Sequence, residues 1–219
     1  MTSSRQPRRS AIAELRDRHL VRLYWPAELR PAFDVLFDID DALGEVVSAS
    51  TQPALGAMKL AWWREALERL DRQRPPPEPR LQAAAAELLP RGVTGAMLAA
   101  LEEGWAALLE EQPDGERVRG RGATLFAIGA KLLDAQHESL DAAGRLFAGV
   151  EAARRGHRDF AKVETCLGGQ QFERRLRPLT AFAALAARDL RLGGPPFEPE
   201  ATPGRAASLI RHRLFGRVD

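Results

Sequence analysis

The segment from Gln52 to Leu70, QPALGAMKLAWWREALERL, constrains the fold more than any other part of the chain. Its apolar residues recur every three or four positions, which is the period of an α-helix, and they occupy two neighbouring rows. The first row holds Met58, Trp62 and Ala66 and continues to the charged Arg69, and the second holds Leu60, Trp63, Leu67 and Leu70. So wide an apolar face predicts a mostly interior helix from Pro53 to Asp71.

Helical periodicity also marks most of the remaining chain, and no stretch alternates apolar and polar residues for long enough to predict a strand. The sequence therefore predicts an all-α fold. Its 219 residues fit one compact domain, 1–219. Within it we expect residues 1–9 to be disordered and the proline- and glycine-rich segment 193–204 to form a loop.

Polar residues that can accept a hydrogen bond from a first helical turn mark several helix starts. Ser10 is predicted to cap a first helix that ends near Tyr24, and Thr94 to cap a helix that runs through Glu110. Further helices are predicted over the ranges 32–48, 81–89, 118–136, 139–155 and 170–192, with a last short helix that ends near Phe215.

Charge and cysteine usage exclude several classes of function. The formal net charge is only +2, and the positive charge is almost entirely arginine. Three arginine clusters lie in the second half of the chain: Arg154, Arg155 and Arg158; Arg174, Arg175 and Arg177; Arg211, Arg213 and Arg217. No aromatic residues interleave with them as stacking platforms, so we expect no nucleic-acid partner. The single cysteine, Cys166, excludes an internal disulfide and a sulfur-based zinc site.

The sequence also favours one location. The basic start, MTSSRQPRRS, continues into a charged segment rather than the apolar core of a signal peptide. No segment approaches the roughly 20 apolar residues of a membrane span. We therefore expect a cytoplasmic protein, with peripheral membrane contact as a second expectation. The loops that bind nucleotides, such as a Walker loop or G-x-G-x-x-G, are absent from the sequence.

An acidic stripe follows one face of the helix written FDVLFDIDDALGE, from Phe33 to Glu45. Its carboxylates are spaced four, three and four residues apart and share roughly 60° of arc. They are Asp34, Asp38, Asp41 and Glu45. Magnesium takes oxygen ligands, one or two of them protein carboxylates, so a pair from the stripe is adequate. The opposite face is apolar, so the stripe is more typical of a solvated helix surface than of a metal site. Its direction, into a cavity or outward, separates these two interpretations.

Two further segments are RDRHLVRLYWP, over 16–26, and KLAWWR in the predicted helix from Pro53 to Asp71, which we call the tryptophan helix. Both resemble the squalene/phytoene synthase family, whose members carry a closely similar R-L-x-W-W-R in the second segment. The resemblance implies an isoprenoid-synthase-type helical bundle. It also implies that the acidic helix carries the first aspartate-rich motif, which binds magnesium bridging the diphosphate of an allylic substrate. Asp40 and Asp41 are adjacent here, but Gly44 stands where the third aspartate belongs.

The segment GRLFAGVEAARRGHRD, from Gly144 to Asp159, resembles the helix that carries the second metal motif of that family. Glu151 occupies the position of the family's asparagine, and Arg154 and Arg155 replace its final Arg-Asp pair. A guanidinium at a ligand position repels magnesium but can bind phosphate directly. The resemblance therefore implies that the aspartate-rich motifs are eroded.

The resemblance implies two alternative functions. The first is a non-catalytic binding or assembly role without a cofactor, as in a mitochondrial complex I assembly factor that resembles the same family. The alternative is an active Mg²⁺-dependent prenyltransferase that condenses prenyl diphosphates in isoprenoid biosynthesis. Either form could bind a prenyl diphosphate or another isoprenoid lipid. In the active form, Asp34, Asp38, Asp41, Glu45 and Glu151 would bind the metal, and Arg22, Arg64 and Arg154 would bind diphosphate.

Overall fold

The structure is a computed structural model that describes residues 16–161 and 167–218. It is mostly helical, which confirms the all-α character predicted from the sequence. Ser10, the segment 1–9 and Cys166 lie outside the described residues. Among the helices of these two ranges, none is both long enough and apolar enough to cross a membrane.

Ten α-helices and one pair of short strands follow one another within the described ranges. The helices are α1 (Asp17–Arg22), α2 (Arg30–Ala49), α3 (Pro53–Arg69), α4 (Pro79–Glu87), α5 (Gly95–Ala99), α6 (Glu102–Ala106), α7 (Gly115–Leu132), α8 (Leu140–Arg154), α9 (Arg177–Arg191) and α10 (Pro203–Phe215). The strands are β1 (Gln170–Gln171) and β2 (Arg217–Val218), and four 3₁₀ turns lie at Ala27–Leu29, Leu89–Arg91, Ala107–Leu109 and Arg158–Ala161.

The prediction of a continuous helix over 170–192 is wrong for its first part, where β1 pairs antiparallel with β2. The pairing continues into Phe172, whose N–H donates to the carbonyl of Gly216 at 2.8 Å. Helix α9 begins only beside Pro178, which lies in its first turn, where proline is well tolerated. Residues 216–218 therefore supply the backbone partners of residues 170–172 that a helix would otherwise have supplied.

The helix predicted to run from Thr94 through Glu110 is divided into α5, α6 and a 3₁₀ turn. Its predicted cap is confirmed, because the Thr94 hydroxyl accepts from the N–H of Met97 at 3.2 Å. At the break, the N–H of Leu101 bonds three residues back, to the carbonyl of Leu98, at 3.2 Å. Both leucines are fully buried, so the tighter turn keeps both side chains in the core.

The tryptophan helix α3 is less buried than its sequence predicts. The row formed by Leu60, Trp63, Leu67 and Leu70 is buried, as expected. In the other row, Ala66 is buried but Met58 is 69% and Trp62 49% exposed, so the prediction of a mostly interior helix is wrong for these two residues. The reason is that α3 packs on one side, against α2, α5 and α6, and within the described residues nothing covers the other side.

Helices α2, α7, α8 and α9 enclose the part of the core that positions the candidate site. Helices α7 and α8 form the closest pair, because Gly122 and Gly144 let their backbones touch. A Cβ atom on Gly122 would lie 2.0 Å from the carbonyl oxygen of Gly144. This close approach brings the side chains of Arg121 and Glu151 together between the helices.

Candidate functional site

A cavity of about 350 Å³ lies among α2, α8 and α9, with the first residues of α1 and α10 at its mouth. Its apolar lining, which we call the floor, consists of Phe37, Phe147, Val150, Phe182, Leu185 and Ala186. Its charged lining, which we call the rim, consists of Arg16, Asp17, Arg18, Asp40, Asp41, Glu151, Arg154, Arg155, Asp189, Glu200 and Arg205. A ligand with an apolar body and a polar end matches this division of the walls.

A buried arginine joins α2 and α8, the two helices that carry the rim carboxylates Asp40, Asp41 and Glu151. Arg121 on α7 donates from Nη1 to Asp40 of α2 and from Nη2 to Glu151 of α8, both at 2.5 Å. The side chains of Arg121 and Asp40 are only 2% and 3% exposed, so this ion pair is almost fully removed from water. We call these three residues the Arg121 bridge. A permanent positive charge thus lies between carboxylates of facing helices.

Trp105 completes the surroundings of the bridge. Its Nε1–H donates to Asp40 at 2.8 Å, and the centre of its ring lies 4.0 Å from the guanidinium carbon of Arg121 and 4.8 Å from that of Arg155. Both distances are within the range of cation–π attraction. Gly44 makes room for this ring, because a Cβ at that position would lie 2.7 Å from it. An aspartate at position 44 therefore has no space in this arrangement.

Asp41 is a rim carboxylate whose pKa is raised well above the ordinary value of an aspartate. Arg18 contacts it at 2.7 Å and Arg155 at 3.6 Å. Burial is the main cause that raises the pKa of Asp41, and the negative charges of Asp40 and Glu151 act in the same direction. The two arginines oppose this, and the resulting pKa is about 6. A modest change in pH therefore changes the charge of this side of the cavity.

Burial and the neighbouring charges shift the pKa values of all three residues of the Arg121 bridge. Burial is the largest influence on each carboxylate. In Asp40 burial prevails and raises the pKa, although Arg121 opposes it. In Glu151 burial alone would raise the pKa, but Arg121 and Arg155 outweigh it and the pKa is lowered. Burial alone would lower the pKa of Arg121, but Asp40 and Glu151 raise it overall, so its guanidinium stays charged.

A second ionic cluster closes the opposite side of the cavity. Asp189 on α9 accepts from Arg154 on α8 at 2.7 and 2.9 Å and from Arg205 on α10. Arg205 also contacts Asp17 on α1 at 2.6 Å, and Asp17 accepts from the N–H of Ala201 at 2.9 Å. We call Asp17, Arg154, Asp189 and Arg205 the Asp189 cluster. It fixes the positions of four helices around the cavity mouth.

The outer part of the acidic stripe forms ion pairs near the surface. Asp34 contacts Nε of Arg22 at 2.7 Å, and Asp38 contacts Nη2 of Arg18 at 2.5 Å. All four side chains are between one quarter and one half exposed. Such pairs are screened by solvent and contribute about 0 to 1 kcal/mol.

The rest of the stripe is divided between surface and cavity. Glu45 is exposed and contacts Arg80 of α4 at 3.1 Å. Asp41 is the member that lines the cavity, and Glu151 lies on the same rim. Of the five carboxylates in the predicted metal set, these two are therefore brought together, and the other three lie outside the cavity wall.

The three arginines predicted to hold diphosphate are not brought together. Arg22 is engaged with Asp34, and Arg64 on α3 is half exposed and 4.0 Å from Glu102. Arg154 lines the cavity, but its guanidinium is held by Asp189 and by the carbonyl of residue 198 at 3.1 Å. Only Arg154 is placed to meet a ligand in the cavity.

Two central residues, Asp40 and Arg121, were absent from the predicted site. Each carried a signal in the sequence. Asp40 lies four positions after Leu36 and three before Leu43, so it falls on the apolar face of its helix. Arg121 lies three positions after Val118 on the buried face of α7. A charged residue on an apolar face indicates a buried partner of opposite charge, which the sequence alone does not identify.

A resident magnesium ion does not fit these residues. Within the two described ranges, no three histidine, cysteine, aspartate or glutamate side chains form a group that could hold a metal ion. Asp40 and Glu151 already accept from Arg121, and Asp41 from Arg18. A cation would have to displace a guanidinium that cannot lose its charge and is buried beneath Trp105.

Comparisons with known proteins add no family to this description. No protein-family model, curated protein or solved structure matches the chain. The function therefore has to be inferred from the cavity and its two ionic clusters.

Proposed function

We propose that this chain is a squalene/phytoene synthase-like protein of the isoprenoid-synthase bundle type that binds a ligand without metal-dependent chemistry. The observation that carries the proposal is the Arg121 bridge. It places a guanidinium between carboxylates of α2 and α8, the two helices that the resemblance assigns to the aspartate-rich motifs. A protein cation thus neutralises the charge that a magnesium ion would neutralise in an enzyme of that family.

Gly44 supports the same conclusion. In the family pattern this position carries the third aspartate, but here the Trp105 ring and the guanidinium of Arg155 occupy the adjacent space. Both arginines beside Trp105 contact Glu151 as well. Packed side chains from α2, α6, α7 and α8 therefore occupy the space that the resemblance assigns to metal ligands.

The cavity indicates what is bound. Phe37, Phe147 and Phe182 form an aromatic floor, with Phe182 4.9 Å from Phe37 and 5.4 Å from Phe147 between ring centroids. A volume of about 350 Å³ is at the small end of ligand pockets, which span roughly 300 to 1,000 Å³. We infer that it takes one apolar chain, such as an isoprenoid, with its polar end at the charged rim. A condensation needs room for two prenyl diphosphates.

The alternative is an active Mg²⁺-dependent prenyltransferase. One observation favours it: Asp40, Asp41 and Glu151 come from the two helices that the resemblance assigns to metal binding, and they line one rim. Catalysis would require Arg121 and Arg18 to release them. We rank it second because the buried guanidinium has no other carboxylate to move to among its contacts.

The experiment is a calorimetric titration with a non-hydrolysable farnesyl diphosphate analogue and with farnesol, each with magnesium or with a chelator. We expect binding that is indifferent to magnesium. The variant Ala186→Leu fills the cavity floor and should abolish binding, whereas Ala86→Leu, at an exposed position of α4, should bind as the wild type does.

Two results would overturn the proposal. Magnesium-dependent binding together with release of diphosphate from farnesyl or geranylgeranyl diphosphate would establish the transferase. Equal binding by wild type and Ala186→Leu, or no binding of either compound, would exclude the cavity as an isoprenoid site.

A further inference from the structure

The outward side of α10 is apolar. Ile210, Leu214 and Phe215 are 57%, 64% and 56% exposed, which is unusual for three large apolar residues within six positions. The opposite side of the helix carries Leu209 and His212, which are buried. At 100° per residue, Leu214 points roughly away from both of them. Within the described part of the chain, this row therefore lies at the surface.

Cations flank this row. Arg211, Arg213 and Arg217 are all exposed, and no acidic residue occurs between positions 203 and 218. Among the described residues, no carboxylate forms an ion pair with these three arginines. The carbonyls at the end of α10 accept from Arg177 at 2.9 Å, which adds a fourth guanidinium beneath the same end. We call the six exposed residues Ile210, Arg211, Arg213, Leu214, Phe215 and Arg217 the basic apolar face.

The end of α1 lies beside this face. The guanidinium carbon of Arg213 is 4.8 Å from the centre of the Tyr24 ring, and the preceding Leu23 is 57% exposed. The acidic residues nearest along α1 and α9 do not compensate the charge, because Asp17 and Asp189 are engaged with Arg205 at the other end of α10. The charge of the basic apolar face is therefore left for an external partner.

We propose that the basic apolar face docks this protein on an anionic membrane surface. Apolar side chains with arginines on both sides match the boundary between acyl chains and phosphate headgroups. Arginine also forms paired hydrogen bonds with phosphate oxygens. The proposal goes beyond the cavity function and does not depend on it.

A second copy of the chain fits this face less well. A two-fold interface would place Arg211, Arg213 and Arg217 of each copy against the same residues of the other, with no acidic residue of this segment between them. Like charges in such an interface repel each other. The exposed row of α3, with Leu55, Met58 and Trp62, lacks the charge pattern, because Glu65 and Arg69 at its end pair with each other at 2.8 Å.

The test is flotation of the purified full-length protein with vesicles of phosphatidylcholine alone or mixed with phosphatidylglycerol. We expect binding to the anionic vesicles only, weakened by added salt. The double variant Ile210→Asp/Leu214→Asp should not float. The double variant Arg211→Gln/Arg217→Gln should bind about 25-fold more weakly, since each arginine near such a surface contributes about fivefold.

The matched control is Leu55→Asp/Met58→Asp, which changes equally exposed apolar residues of α3 and should float as the wild type does. The proposal is overturned if the wild type ignores anionic vesicles or binds neutral ones equally well. It is also overturned if the α3 variant loses binding and the α10 variant keeps it. Self-association by sedimentation that Ile210→Asp/Leu214→Asp abolishes, without vesicle binding, would assign the face to a second copy instead. Circular dichroism checks that each variant is folded.

Discussion

Replacing Arg121 with methionine should destabilise the protein strongly. Methionine keeps much of the length and volume of the side chain but removes the charge that Asp40 and Glu151 share. Both carboxylates then lose a 2.5 Å ion pair inside the protein. Breaking a buried ion pair by removing one partner costs about 3 to 5 kcal/mol, because a buried charge is left without compensation. That is a large share of the roughly 5 to 15 kcal/mol by which domains are stable.

The stability lost in Arg121→Met should increase as the pH rises. Without Arg121, burial and mutual repulsion raise the pKa values of Asp40 and Glu151 in the folded state above those of the unfolded chain. The folded variant then binds more protons at mildly acidic pH, so its stability falls as the pH rises through those raised values. The difference in stability from the wild type should therefore be smaller near pH 5 than near pH 8.

The assay is equilibrium unfolding in urea, followed by tryptophan fluorescence at several pH values. Trp105 contacts Arg121, so far-UV circular dichroism should serve as a second probe to check that the transition is two-state. The control is Arg145→Met on α8. Arg145 also contacts two carboxylates, those of Asp141 and Glu116, but at the surface. The variant Arg145→Met should therefore lower the free energy of unfolding by no more than about 1 kcal/mol.

Two further variants separate charge from packing. Adding Asp40→Asn and Glu151→Gln to Arg121→Met removes the unpaired charges and should restore part of the lost stability. Magnesium should stabilise Arg121→Met, where three rim carboxylates are freed or repel one another, but not the wild type. A loss below about 1 kcal/mol for Arg121→Met, or a loss that does not change with pH, would refute the reasoning.

The folded-state pKa of Asp41 is about 6, against an ordinary value of 3.8. Its contribution to stability should therefore be fully present below about pH 4 and be lost as the pH rises through 6. In urea unfolding across this range, the free energy of unfolding should depend less on pH for Asp41→Asn than for the wild type. Gly44→Asp should cost about 1 to 3 kcal/mol through overlap with Trp105, and calorimetry should detect no magnesium binding. Gly122→Ala should lower the melting temperature, because its Cβ would lie 2.0 Å from a carbonyl oxygen of α8. The control Gly120→Ala should raise the melting temperature slightly, because its Cβ would meet nothing within 4 Å and alanine favours a helix more than glycine does.

Helices were largely predictable from the sequence because their signals are local. The periodicity over 139–155 predicts α8, which runs from residue 140 to 154, and Pro203 with Gly216 brackets α10. The first part of the range 170–192 was mispredicted, since its backbone pairs with residues more than forty positions away. No local pattern carries that information.

The candidate site was predictable only in part. The acidic stripe is visible from its spacing, and Asp41 and Glu151, which both line the cavity, belong to the predicted metal set. Their common rim could not be read from the sequence, nor could the guanidinium beside them, because Arg121 belongs to a third helix. A pattern along one helix shows which residues share a face but not what that face meets.

The sequence by itself determined the all-α class, most helix positions and the residue types that surround the cavity, because side-chain periodicity and capping act over a few residues. The tertiary structure decided which partner neutralises the carboxylates of Asp40 and Glu151. The contact of Gly122 with Gly144 brings α7 against α8, and this contact places Arg121 between carboxylates that belong to separate helices. Whether those carboxylates meet a metal ion or an arginine depends on that packing, since electrostatic neutralisation is set by distance in space and by burial.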